Sequence, residues 1–156
     1  RNAGQVLDAA AGAPADPLLA AYAALAHIFR TTREGLALAR PLLERALDLE
    51  PETSRDRLMI QAIACWHGED PAAARRLLSE LLIAQPDDLF AAKLLQLLQF
   101  GAGDCRGMLR TSALMVAHHG RSAAAYGMHA FALDQCGRSV EAERVARLAL
   151  TLGPDP

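Results

Sequence analysis

The chain of 156 residues is poor in aromatic side chains, at 4%, although 52% of it is hydrophobic. Ala and Leu supply most of the hydrophobic content, whereas the β-branched residues Val and Ile are scarce. Because Ala and Leu lose little side-chain entropy in a helix, this bias favours helical structure. Nor does any stretch keep the alternation of apolar and polar residues that is typical of strands. We therefore predict an all-α protein whose length suits one domain, residues 1–156.

Lysine is almost absent, since Lys93 accompanies fifteen arginines against 18 acidic residues. The net charge of −2 gives no electrostatic attraction to nucleic acid or to an anionic membrane. The longest apolar stretch, residues 17–29, is too short to span a bilayer and contains His27. No secretory signal is visible. We therefore expect a cytoplasmic location and neither nucleic acid nor membrane as a partner.

The sequence has few residues of the types that bind metals. Cys65, Cys105 and Cys136 are odd in number and form no C-x-x-C pair. They are interpreted as reduced thiols, of which Cys105 is expected to be the most exposed. The adjacent His118 and His119 point about 100° apart on a helix, so they cannot both serve one metal. No metal, cofactor or catalytic motif is predicted.

Gly, Pro and capping residues divide the sequence into segments of helical length. An N-terminal helix or leader is expected within residues 1–15, and Ser54 is taken as a helix cap. The other predicted helices are approximately 17–30, 33–49, 54–67, 71–85, 87–100, 104–119, 122–136 and 139–152. Short turns join them throughout.

The helix breakers recur with a fixed period. Pro86, Gly120 and Pro154 are equally spaced, and the same interval separates Gly103 from Gly137. This interval matches a helix–turn–helix period of about 34 residues, which is typical of tetratricopeptide repeats. We therefore expect a right-handed α-solenoid of about four repeats, with boundaries at approximately 20–53, 55–88, 89–122 and 123–156.

The small residues agree with this pattern. Ala62 and Ala130 allow the two helices of a pair to approach closely, whereas the third unit is degenerate. It has Gln96 and Met108 where small residues are usual, so its packing must differ locally. The last predicted helix carries apolar residues with no later helix to cover them, namely Val140, Val145, Leu148 and Leu152. We expect a longer array, a cap from another chain, or self-association through the uncapped ends.

Two segments resemble a narrower group of these repeats. Residues 53–104 and 126–156 are similar to the tetratricopeptide repeat protein 38 family, which shares an "hP-D-LALK" junction, a "GMHAF-LEE-G-Y-EAE" helix pair and an "AL-LNP-DAWA" segment. The corresponding segments here are residues 85–93, 127–143 and 149–156. Departures include Gln99, where the family is usually aromatic, and Gly153, where it usually has Asn. The resemblance implies an α-solenoid and no established activity.

In tetratricopeptide arrays the first helix of each pair lines a concave groove. The resemblance places there Met59, Ile63, Trp66, Phe90, Lys93, Leu97, Phe100, Phe131 and Asp134. An aromatic-rich strip with one cation suits an extended peptide or an amphipathic helix. We therefore predict a non-enzymatic scaffold that binds a protein segment in this groove.

Two other functions stay open from the sequence. In the first alternative, the chain is an enzyme or enzyme subunit in which a pocket between repeats holds the His and Cys residues. In the second, it is a structural segment whose concave groove is filled by another part of the same protein. His129, at a packing position, is expected to be a hydrogen-bonded, partly buried residue. Trp66 lies at a helix end, where it either anchors a ligand or fills the turn between helices.

Overall fold

The computed structural model describes residues 3–153, which form nine α-helices and no strand. The helices are α1 (Ala3–Gly12), α2 (Pro17–Ile28), α3 (Arg33–Asp48), α4 (Ser54–His67), α5 (Pro71–Ala84), α6 (Leu89–Gly101), α7 (Cys105–His118), α8 (Ala123–Gln135) and α9 (Ser139–Leu152). The all-α prediction is confirmed for this part of the chain. Pro154, expected to close the last repeat, lies outside the described residues.

Short polar side chains set where the helices begin. The Asp16 carboxylate accepts a hydrogen bond from the Leu19 amide at 2.9 Å, and Asp88 and Asp104 make the equivalent contact for α6 and α7. Such caps satisfy amides that have no partner within the helix. For α4 the cap is Thr53 rather than the predicted Ser54, because the Thr53 hydroxyl accepts from the backbone amide three residues later.

The chain divides into two compact units, residues 1–77 and 78–156, with the boundary inside α5. In the first unit α2 contacts α1, α3 and α4, and α3 contacts α4. The buried surface of α2 is formed largely by alanines, which let neighbouring backbones approach closely. At Gly35 of α3 a side chain would not fit, since a Cβ there would lie 2.5 Å from the carbonyl oxygen of His27.

The second unit is built from successive contacts between α6 and α7, α7 and α8, and α8 and α9. Helix α6 also contacts α8. Large apolar side chains fill this core, including Leu78, Leu81, Met108 and Met115. This core also includes four buried polar residues, namely Gln96, Gln99, Thr111 and Ser112.

Successive helices joined by short turns agree with the predicted helix–turn–helix units. The number of repeats, their right-handed stacking and the single-domain assignment stay predictions. None of the helices in the described part of the chain is long and apolar enough to cross a membrane. In α9 several large apolar side chains are exposed, namely Val140, Leu148 and Leu150.

Candidate functional site

Helix α6 is buried along most of its circumference. Its exposed side chains are Phe90, Lys93, Leu97 and Phe100, which are four of the residues predicted for the groove. Their spacing of three, four and three residues places them in one row along the helix. Phe90 is 40% exposed, Leu97 41% and Phe100 45%, so three large apolar side chains lie partly in solvent beside one cation.

Helix α8 extends this surface. Phe131 is 41% exposed, and the centre of its ring lies 5.3 Å from that of Phe100, with the ring planes tilted by 54°. Asp134, one turn further along α8, is also exposed. We call the six residues Phe90, Lys93, Leu97, Phe100, Phe131 and Asp134 the α6–α8 face. The two rings join the exposed rows of both helices into one surface.

A buried hydrogen bond fixes the position of α6 against α8. Gln96 is only 6% exposed, and its side-chain amide donates to the carbonyl oxygen of Met128 at 2.8 Å. Gln99, on the same helix, exchanges hydrogen bonds with the hydroxyl of Thr111 on α7. A buried amide is costly unless it has a partner, so these bonds specify how the helices meet. Packing at Gln96 was predicted to differ locally, and the sequence did not reveal the hydrogen-bonding partner of its side chain, the carbonyl oxygen of Met128.

A second polar contact joins α7 to α8. The hydroxyl of Ser112 lies 3.0 Å from Nδ1 of His129 and donates to the carbonyl oxygen of Leu109 at 3.2 Å. Burial lowers the pKa of His129, the positive charge of Arg138 acts in the same direction, and Glu141 opposes them. The neutral imidazole is thus favoured inside this helix pair. The prediction that His129 is a hydrogen-bonded, partly buried residue is confirmed.

Charge is arranged differently around the two ionic residues of the α6–α8 face. Lys93 forms no ion pair or hydrogen bond within residues 3–153. Asp134 accepts a long hydrogen bond of 3.4 Å from Ser139. Nearby Glu141 is paired with Arg138 at 2.6 Å, and this pairing lowers the pKa of Glu141. Lys93 is therefore the cation on this face that is free to meet an incoming carboxylate.

In the first unit the predicted groove residues are placed differently. Met59 is 0% exposed and Ile63 1%, so both side chains belong to the core and are not accessible to a partner. Their assignment to an open groove is therefore corrected. Trp66 is half-buried and meets Phe29 edge-on, with ring centres 5.6 Å apart. The ring thus packs at the helix end, as one of the two sequence interpretations expected.

The histidines do not converge on one another. His119 contacts the carbonyl oxygen of Asp87 at 2.7 Å, His67 contacts that of Leu36 at 3.0 Å, and His118 is exposed. Across residues 3–153, no group of three or more His, Cys, Asp and Glu side chains could hold a metal ion. Cys105 lies near enough to Cys136 to contribute to a raised pKa of the Cys136 thiol. No short motif indicates this contact, because the two residues are distant in the chain.

A separate concavity lies in the first unit. It is an open groove of about 810 Å³ lined by α3 and the end of α4, with Leu36, Leu47, Arg40 and His67 among its residues. None of the predicted groove residues lines it. The α6–α8 face, by contrast, is a helix surface, which suits another protein segment better than a small molecule enclosed in a cavity.

Comparison with protein-family models, with curated proteins and with solved structures finds no match to this chain.

Proposed function

We propose that this chain is a tetratricopeptide-type helical repeat protein that binds a segment of a partner protein on its α6–α8 face. The observation that carries the proposal is the exposure of α6: its accessible side chains are three large apolar groups and the only lysine of the sequence. Large apolar groups gathered on an accessible surface are typical of protein–protein interaction sites. The finer assignment to tetratricopeptide repeats is supported by the constant interval between the helix breakers.

The chemistry of the face favours one kind of partner. From Phe90 to Phe100 the row spans about 15 Å, at about 1.5 Å per residue of helix. This length suits about five residues of an extended peptide, or three turns of an amphipathic helix. Lys93 lies between Phe90 and Leu97 and has no acidic partner in the described residues. The partner segment therefore carries apolar side chains on both sides of an Asp or Glu.

The experiment is a peptide-display selection on the full chain. A random peptide library is selected for binding to the wild-type protein, after removal of peptides that bind the double variant Lys93→Glu with Phe100→Ser. We expect enriched peptides in which an acidic residue is flanked by apolar residues. Phe100→Ala is expected to weaken their binding by about tenfold or more, because aromatic anchors contribute about 1–2 kcal/mol or more.

Two matched variants separate binding on this face from general stickiness. Leu150→Ala removes an apolar side chain that is 83% exposed on α9, and Arg110→Glu reverses an exposed charge on α7. Both should leave peptide affinity within about twofold, as expected for residues outside the contact. The proposal would be contradicted if these controls lost as much peptide affinity as Phe100→Ala, or if no peptides were enriched for the wild type over the double variant. Circular dichroism establishes that each variant is folded.

The two alternatives predict other outcomes. A structural segment whose face is covered by its own chain would bind no peptide there, and substitution of Phe100 would lower stability instead. An enzyme would need its histidines and cysteines brought together, and His67, His119 and His129 instead make three separate contacts with carbonyl or hydroxyl oxygens. The contacts of these histidines favour no particular reaction on a substrate, so binding is the function that we put forward.

A further inference from the structure

Cys105 and Cys136 lie at ends of two helices that pack against each other. Cys105 is the first residue of α7, and Cys136 is the residue that follows α8. The short connection of residues 119–122 makes α7 and α8 antiparallel, so the start of α7 lies beside the end of α8. Both thiols are partly exposed. They are therefore close together in the fold although they are distant in the sequence.

The register of the two helices places the thiols opposite each other. Ser112 and His129 form a contact of 3.0 Å across this helix pair. Cys105 lies seven residues before Ser112, and Cys136 lies seven residues after His129. Seven residues are nearly two helical turns, at about 3.6 residues per turn, so each cysteine lies on the same side of its helix as the contacting residue. Because α7 and α8 are antiparallel, the seven residues from Ser112 to Cys105 and the seven from His129 to Cys136 run in the same direction in space. The two cysteines therefore lie at the same height along the helix pair.

The surroundings of the thiols agree with this register. Partial burial raises the pKa of the Cys136 thiol, and its contact with the Cys105 side chain acts in the same direction. The positive charges of Arg138 and Arg106 oppose both effects. On balance the pKa of the Cys136 thiol is raised, and the two arginines limit that rise in a partly exposed site.

We propose that Cys105 and Cys136 form a reversible dithiol–disulfide site that is oxidised by low-molecular-weight disulfides such as oxidised glutathione. This is independent of partner binding on the α6–α8 face. The disulfide would tie the start of α7 to the end of α8, the helix that carries Phe131. Cys65, which lies on α4 in the first unit, takes no part.

The chemistry balances in two exchange steps. The thiolate of Cys105 attacks one sulfur of the low-molecular-weight disulfide, forming a mixed disulfide and releasing one thiolate. Cys136 then loses its proton to solvent and attacks Sγ of Cys105, which forms the internal disulfide and releases the second thiolate. Both released thiolates take up the protons lost by the two cysteines. Two protein thiols are oxidised and one small disulfide is reduced to two thiols.

The test is a redox titration of the full chain in buffers of reduced and oxidised glutathione. After acid quenching, the remaining thiols are labelled under denaturing conditions with a maleimide that shifts the chain on a gel. The three free thiols of the reduced protein should fall to one in a single step, with the monomer retained. Peptide mapping by mass spectrometry should find Cys105 linked to Cys136, and the oxidised chain should have the higher Tm.

Three serine variants make the result specific. Cys65→Ser should keep the internal disulfide at the same glutathione ratio as the wild type. Cys105→Ser and Cys136→Ser should each form only mixed disulfides with glutathione, at far more oxidising ratios. The proposal would be overturned if the wild type lost its thiols one at a time as separate glutathione adducts. Cross-links between chains in place of the internal link would overturn it equally.

Discussion

Equivalent positions of the predicted repeat have opposite environments in the two units. Ile63 and Leu97 are separated by one full interval of the predicted repeat, yet Ile63 is 1% exposed and Leu97 is 41% exposed. Met59 and Lys93 differ in the same way, and so, less sharply, do Trp66 and Phe100. The period therefore predicts which residues share a face of a helix, whereas the local packing decides whether that face is covered.

The two units also differ in how their helices are held. In the first unit, the residues of 3–77 that are buried as a whole are apolar, and many are alanines, although Nδ1 of His27 and Nε of Arg45 are also buried. The second unit inserts Gln96 and Gln99 between helices and gives each a hydrogen-bonding partner. Polar contacts of this kind fix one arrangement of the helices, because any shift leaves a buried amide without a partner. The helices that carry the α6–α8 face are thus packed more specifically than those of the first unit.

Substitution of the equivalent residues Ile63 and Leu97 by alanine tests the contrast in burial. Ile63→Ala should lower the free energy of unfolding by about 3 kcal/mol, because it creates a cavity in the core. Leu97→Ala should lower it by less than about 1 kcal/mol, because that side chain is already partly in water. Urea unfolding followed by circular dichroism measures both. Equal losses would show that the α6–α8 face is covered in solution.

Substitutions at Ala62 and Gln96, which are also one interval of the predicted repeat apart, test the contrast in packing. Ala62→Gln should cost about 2–3 kcal/mol, since it forces a large polar side chain into an apolar, 2% exposed position. Gln96→Ala should cost about 1–2 kcal/mol through the lost hydrogen bond to Met128 and the lost packing. Thermal unfolding of the two variants checks the order. A larger loss from Gln96→Ala would reverse our interpretation of the two cores.

The smallest expected effect is a pH dependence of stability that arises from His129 in the second unit. The pKa of His129 is lowered in the folded chain, so the unfolded chain binds the proton more readily. Stability should therefore fall as the pH drops through about 6.5. His129→Gln should remove that part of the dependence, as measured by the urea midpoint at several pH values. An unchanged pH profile would show that the imidazole is not desolvated between α7 and α8.

Local features of the fold were predictable from the sequence. Asp16, Asp88 and Asp104 mark helix starts because a short carboxylate can satisfy the amide three residues later. That Phe90 and Leu97 share one face of α6 was equally predictable, because their spacing follows helical geometry.

Features that depend on contacts between distant residues were not predictable. Helical spacing does not distinguish buried Ile63 from exposed Leu97, since each lies on an apolar row of a helix and the two helices are of similar length. The partner of Gln96 is a backbone carbonyl 32 residues away, which any residue type supplies. The contact between Cys105 and Cys136 likewise follows from the register of α7 and α8, which no short motif encodes.

Binding through Lys93 is tested most directly by reversing the charge of Lys93 and the charge of the acidic residue in one selected peptide, separately and together. Isothermal titration gives the affinity of wild-type protein and Lys93→Glu for the peptide and for its version with the acidic residue changed to Lys. We expect each single change to weaken binding by about tenfold, and the double change to restore it to within about threefold. Additive losses, with no recovery in the double change, would contradict binding of an acidic segment at Lys93.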